Sequence, residues 1–170
     1  IRDSGSIGER HLRCFQQTAR ADVTACDTNT SLLEKMVGNY HVPTTTDWET
    51  SLNSGRHQAI LICTPAPLHL PMAIKALQKG VHVLIEKPLS HSLQNVEELL
   101  QASRQSRAQA AVAYVFHVYP FLTKAREFIR SGELGPVRQA VMVSGQPFHR
   151  LRPAYAQTYY RDHRMGGGAI

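Results

Sequence analysis

This sequence predicts an α/β fold, a doubly wound and mostly parallel sheet, followed by the start of an α+β domain. Three observations carry that expectation. Short β-rich runs alternate along the chain with longer helical patterns, the signature of βαβ units. Residues 59–63 (Ala-Ile-Leu-Ile-Cys) are apolar without alternation, as in a strand that helices cover on both faces. A glycine-containing turn, Asp3-Ser-Gly-Ser-Ile-Gly8, leads directly into the first helix.

Taken in order, Ile1 and Arg2 read as the end of a first strand. Strands average about 5–6 residues, so this one is expected to be incomplete at its start. A helix follows over residues 8–18, with Leu12, Phe15 and Ala19 on one face. Residues 22–26 form a short strand. Ser31-Leu-Leu-Glu34 reads as a capping box opening a helix toward Gly38, and Thr46-Asp-Trp-Glu49 as a second one opening a short helix that ends near Gly55. Beyond the strand at 59–63, residues 67–79 are helical, and Gly80 suits the left-handed position that stops a helix. Residues 81–85 are another buried strand. Residues 92–106 are a helix with the apolar stripe Leu93, Val96, Leu99 and Leu100, and 110–118 are the next strand. Residues 120–130 form a helix capped by Gly132. Residues 139–144 alternate like a strand, but an Arg- and Tyr-rich loop follows instead of a crossover helix. A boundary is expected between about 115 and 135, dividing residues 1–120 from 121–170, a crossover helix and the beginning of a second, incomplete domain.

Composition narrows the function. With 42% hydrophobic and 19% charged residues, the chain has enough apolar content to exclude broad disorder. Its longest apolar run, residues 59–63, is far too short to span a bilayer, and no leader is visible, so no membrane partner is expected. Cys14, Cys26 and Cys63 are dispersed, which fits a reducing, cytoplasmic setting better than a disulfide framework or zinc site. None of the nine histidines pairs at ligand spacing on a helix face, so no metal is expected. The net charge of +6 is spread along the chain, apart from Arg150, Arg152, Arg161 and Arg164, and no nucleic-acid module accompanies it. It reads as a solvated face that also attracts a phosphate-bearing cofactor.

Four sites carry chemistry. In the first turn, Gly5 lets the backbone approach a diphosphate and Gly8 lets the helix pack close to the sheet, while Ser6 and Ile7 contribute to the helix N-terminus, which offers N–H groups and partial positive charge. Asp3 stands where the dinucleotide-binding fingerprint of the Rossmann fold has its first glycine, crowding the turn and adding negative charge. Asp27 follows the second strand at about 20 residues from the glycines, where a carboxylate accepts hydrogen bonds from an adenosine ribose; it favours NAD over NADP, although a solvated loop Asp or a helix cap is the alternative reading. Thr64, Pro65 and His69 lie at or just beyond the carboxyl end of the most apolar strand, His69 facing the cofactor or merely beginning a helix. Glu86-Lys-Pro88 follows the next strand. A lysine there, against a hydrophobic wall and tuned by Glu86, can move a proton; the alternative is a surface ion pair.

Together, Gly5-Ser-Ile-Gly8 with Arg10-His-Leu-Arg13, Thr64-Pro65 with His69, and Glu86-Lys87-Pro88 resemble the Gfo/Idh/MocA family of glucose–fructose oxidoreductase and inositol dehydrogenase. Tyr114, Pro120 and the helix ending Ser131-Gly-Glu-Leu-Gly135 resemble that family's crossover to its second domain. Arg152, Tyr159 and Gly166-Gly-Gly168 resemble the approach to its substrate site. The resemblance implies hydride transfer between NAD (NADP as the variant) and a hydroxyl carbon of a sugar, inositol or related polyol, in a homo-oligomer. It implies that Lys87 is catalytic and that Lys87, His117, Arg152 and Tyr159 face the substrate. Val115 and His117 depart from the Asn and Arg the family often carries, and the family's catalytic histidine would lie beyond Ile170. A non-enzymatic dinucleotide-binding sensor on the same fold and an inactive fragment are the alternatives.

Overall fold

The computed structural model describes Ile1 and residues 5–143. Helix α1 (Ser6–Thr18) starts two residues before the expected Gly8, with Gly5 in an extended conformation as its N-cap. It buries Gly8 and Leu12 and ends where Ala19 turns left-handed (φ 53°) and donates its N–H to the Gln16 carbonyl. Ile1 pairs with the next strand: its amino group donates to the Thr24 carbonyl at 2.7 Å, and its own carbonyl accepts the Cys26 N–H at 2.7 Å.

All paired strands run parallel. Strand β1 (Ala25–Cys26) pairs with β2 (Thr44–Thr45), Ala25 opposite Thr44, and helix α2 (Thr30–Tyr40) connects them. The sequence expectation contained no strand at residues 44–45. Two threonines give no alternation to read, and pairing with β1 is what makes them a strand. After helix α3 (Trp48–Asn53) come β3 (Ala59–Ile62), α4 (His69–Gln78), β4 (His82–Ile85), α5 (Val96–Gln105) and β5 (Ala110–Val112), in the spatial order β3-β4-β5 with Leu61 opposite Leu84 and Leu84 opposite Ala111. Parallel neighbours joined by helices are what buried βαβ units produce.

Several boundaries move for identifiable reasons. Asn29, not Ser31, caps α2, because its side-chain oxygen accepts the N–H groups of Ser31 (3.1 Å) and Leu32 (3.4 Å). Asp47 caps α3 in the same way through Glu49 and Thr50, both at 3.0 Å, one residue later than the expected Thr46. Asn95 is left-handed (φ 64°), so α5 starts at Val96; Leu93, expected in its apolar stripe, is 90% exposed, and Leu100 is exposed as well. β5 stops at Val112 because its partner β4 stops at Ile85, so residues 115–117 form a 3₁₀ turn instead of continuing the expected strand.

The core is centred on α4. Leu70, Ala73, Ile74, Ala76 and Leu77 of that helix pack in one buried cluster with Ile62, Val83 and Ile85 of the sheet and Leu99 and Ala102 of α5. A second cluster joins Leu12 to Ala25, Leu33, Met36 and Val42, fixing α1 and α2 on β1. A cavity of about 950 Å³ is lined by residues of both strand groups, among them Ile1, Cys26, Ala59 and Val83.

The chain divides into two compact units, the first running from Ile1 to Ala113 and the second beginning at Tyr114. The described part of the second unit holds the turn Val115–His117 and helix α6 (Pro120–Arg130), whose bounds match the expectation and which buries no residue. Residues 139–143 form no strand, and Ser144 lies outside the described residues. Among the described residues no helix is long and apolar enough to cross a membrane.

Candidate functional site

Among the described residues, the buried polar or charged side chains are Asp27, Thr64, His69 and Glu86. All four stand at or just beyond the carboxyl ends of strands. Asp27 directly follows β1, Thr64 lies two residues beyond β3, Glu86 directly follows β4, and His69 begins α4 and reaches back to the same loops. Burying a polar group is costly unless its partners are supplied, so a row of them along the carboxyl ends of the strands marks a constructed site. Ligands of open α/β sheets bind at that edge.

Each group is held. The Asp27 N–H donates to the Thr45 carbonyl (3.2 Å), fixing the residue to the end of β2, and its carboxylate accepts the Asn29 N–H at 2.8 Å. The Thr64 hydroxyl donates to the Met72 sulfur at 3.8 Å, and Pro65 holds an extended turn before the 3₁₀ turn Ala66–Leu68. His69, 1% exposed, joins two loops: one ring nitrogen lies 2.7 Å from the Thr64 carbonyl and the other 2.8 Å from the Pro88 carbonyl. Carbonyls only accept, so a neutral ring satisfies one of them and an imidazolium satisfies both. His69 thus begins the helix, one of the two readings the sequence offered, and also braces the two loops.

At Glu86 the two carboxylate oxygens have separate partners. One meets the His11 ring at 2.7 Å and the other accepts the Lys87 N–H at 3.0 Å. Burial is the largest single influence on this carboxyl and pushes its pKa up. The hydrogen bonds from His11 and Lys87, with the electrostatic influence of the same two residues, outweigh it, and the net effect is a pKa below the ordinary glutamate value. Lys87 itself is exposed. The Glu86 interaction with Lys87 runs through the backbone N–H.

The glycine turn supplies the remaining part of this edge. Gly5 has no side chain to occupy the start of α1, and the buried Gly8 sits where the helix meets the core, with Ser6 exposed and Ile7 half-buried. The Glu9 N–H donates to the Gly5 carbonyl at 2.9 Å, closing the first helical turn. Asp3, Arg152, Tyr159 and Gly166 to Gly168 lie outside the described residues. His117 belongs to the second unit, exposed on its 3₁₀ turn with its ring 6.3 Å from that of Tyr114. Among the described residues no three His, Cys, Asp or Glu side chains gather to hold a metal ion. The residue missed by the sequence reading is His11, which lies three positions after Gly8, one helical turn along the face that Gly8 buries.

A family model described as an oxidoreductase family with an NAD-binding Rossmann fold matches residues 4–114, more than half of the 170. The chain belongs to the Gfo/Idh/MocA family. Among its relatives, an uncharacterized oxidoreductase of Synechocystis is 28% identical over 97% of this chain and 40% of its own length. The D-xylose 1-dehydrogenase [NADP(+)] of Haloarcula marismortui is 25% identical over 99% of this chain and 44% of its own. The crystal structure of myo-inositol 2-dehydrogenase from Lactobacillus plantarum superposes with a TM-score of 0.72 at 24% identity, covering 81% of this chain and 42% of that one; that likeness is one of fold. This Gfo/Idh/MocA chain spans about two fifths of the length of the curated relatives it matches.

Proposed function

We propose that this Gfo/Idh/MocA chain binds NAD along the carboxyl ends of its strands and that the whole protein oxidises or reduces a hydroxyl carbon of a sugar, inositol or related polyol. The observation that carries this is the row of buried polar side chains, Asp27, Thr64, His69 and Glu86, confined to that edge beside the α1 N-terminus. The donor set fits the cofactor: helix N–H groups at Gly5 to Gly8 for a diphosphate, a fixed carboxylate at Asp27 for a ribose diol, and Thr64 and Pro65 forming a rigid rim. When bound, NAD supplies the hydride acceptor, and NADH the donor.

The chain's own residues do the rest. Asp27 accepts hydrogen bonds from the adenosine ribose and repels a 2′-phosphate, which favours NAD here even though the Haloarcula relative is named for NADP(+). Lys87, exposed at the tip that follows β4, holds the reacting hydroxyl oxygen and carries its proton as the C–H bond breaks. Glu86 fixes the Lys87 backbone, and His69 ties that loop to the Thr64 loop. His117, Arg152 and Tyr159 supply substrate contacts, as the family resemblance implies. Dispersed cysteines, two of them buried, support a cytoplasmic setting.

The test uses the full protein with NAD and a panel of myo-inositol, D-xylose and D-glucose, following NADH formation. Lys87→Ala is expected to lower turnover by about a hundredfold or more, the scale of a lost acid–base group, while NAD affinity changes little. Unchanged turnover in that variant would remove Lys87 from the reaction. NAD binding with no turnover on any polyol or sugar would favour a sensor.

A further inference from the structure

One interaction at the strand tips is not used by that reaction. The His11 ring on α1 meets the Glu86 carboxylate at 2.7 Å across 75 positions of sequence, linking the helix that follows the glycine turn to the loop that carries Lys87. We infer that His11 is a positioning residue: by holding one oxygen of Glu86 it orients the other onto the Lys87 N–H, so that the diphosphate end and the reacting end of the cofactor site keep a fixed spacing. This rests on the proposed roles of the glycine turn and Lys87.

The geometry supports the inference at each link. Glu86 is anchored by its own N–H, which donates to the Ile62 carbonyl at 2.9 Å, so its carboxylate projects from a fixed strand end. Its side chain is 11% exposed and that of His11 is 21% exposed. A carboxylate with so little water needs protein donors, and here the ring and the backbone N–H of Lys87 are two of them, one on each oxygen. Gly8, buried one turn before His11, brings the helix close to the core. Without the ring, one oxygen of a nearly buried carboxylate loses its partner, and the side chain is free to rotate toward solvent and release the Lys87 N–H. The carboxyl, held below its ordinary pKa by these same bonds, would then drift upward.

The experiment compares NADH with ADP-ribose, which keeps the diphosphate and lacks the nicotinamide, on the full protein. His11→Ala is expected to weaken NADH by about tenfold, the scale of a lost hydrogen bond to a charged group, and ADP-ribose by less than about threefold. Exchange of the Lys87 amide hydrogen, read by NMR, should accelerate. His11→Gln, which restores an N–H donor, should recover most of the NADH affinity, and this variant and Glu86→Gln keep the test open if the alanine variant folds poorly. His11→Ala combined with Glu86→Gln should cost no more than the larger single loss, because the two act through one bond. Equal losses for NADH and ADP-ribose, additive losses, or an unchanged Lys87 amide would overturn the inference. If the wild-type protein binds NADH and His11→Ala changes nothing, only the His11 role falls; if the wild type binds neither ligand, the cofactor reading falls and takes this one with it.

Discussion

Replacing His69 by leucine tests how the loops after β3 and β4 are held together. Leucine fills most of the ring's space but leaves the Thr64 and Pro88 carbonyls without the partners that now sit at 2.7 and 2.8 Å. A buried carbonyl left unsatisfied costs about 1–3 kcal/mol. A neutral ring has one N–H, so one of these two carbonyls loses its donor in the variant. The whole cost is then about 1–3 kcal/mol. For a compact unit of this size each kcal/mol moves the melting temperature by roughly 4 °C, so calorimetry on His69→Leu should show a fall of about 4–12 °C. A companion measurement of NADH affinity should show a loss, since both loops border the proposed cofactor edge. A fall of less than about 4 °C, the equivalent of about 1 kcal/mol, would mean that the loops are held by the sheet alone and that the ring braces nothing.

Other consequences follow from single side chains. Asp27→Ser should narrow the preference for NAD over NADP by about tenfold or more in parallel titrations, because a carboxylate facing a 2′-phosphate at contact distance costs at least about 1 kcal/mol even in water and more in a buried setting; an unchanged ratio would mean the carboxylate does not face the ribose. Leu77→Ala, at the centre of the α4 cluster and 1% exposed, should cost about 2–5 kcal/mol in urea denaturation. Leu93→Ala, 90% exposed, should cost under about 0.5 kcal/mol. Glu86 sets a pH dependence: with its folded pKa below the unfolded one, its stabilisation is complete above the ordinary carboxyl range and is lost as pH falls through the folded value. Glu86→Gln should therefore flatten the acid side of the stability curve, and an identical curve would remove Glu86 from it.

Much of the fold was legible because its signals are local. The apolar run at 59–63 marks β3, although Ala59 is exposed and Ile60 only half-buried, and Pro120 with Gly132 brackets α6 at the bounds the structure shows. What was not legible depends on partners distant in sequence. Thr44 and Thr45 are a strand only because β1 lies beside them, and 115–117 leave the strand conformation only because β4 has ended. Asn29 and Asp47 displaced the expected caps because cap choice turns on which side chain reaches the N–H groups, a matter of one or two residues. Asp27, Thr64 and Glu86 stand at strand ends that the sequence locates. The bonds at the site could not be read, since His11 with Glu86 and His69 with Pro88 join residues 75 and 19 positions apart.

The central claim is spatial: a dinucleotide extends along the strand tips from the α1 N-terminus to the loop of Lys87. A crystal structure of the full protein with NADH tests it directly. The account predicts the diphosphate over Gly5 to Gly8, the adenosine ribose on Asp27 and the nicotinamide beside Lys87. A dinucleotide seated instead in the cavity bordered by Ile1, Ala59 and Val83, away from those tips, would contradict it.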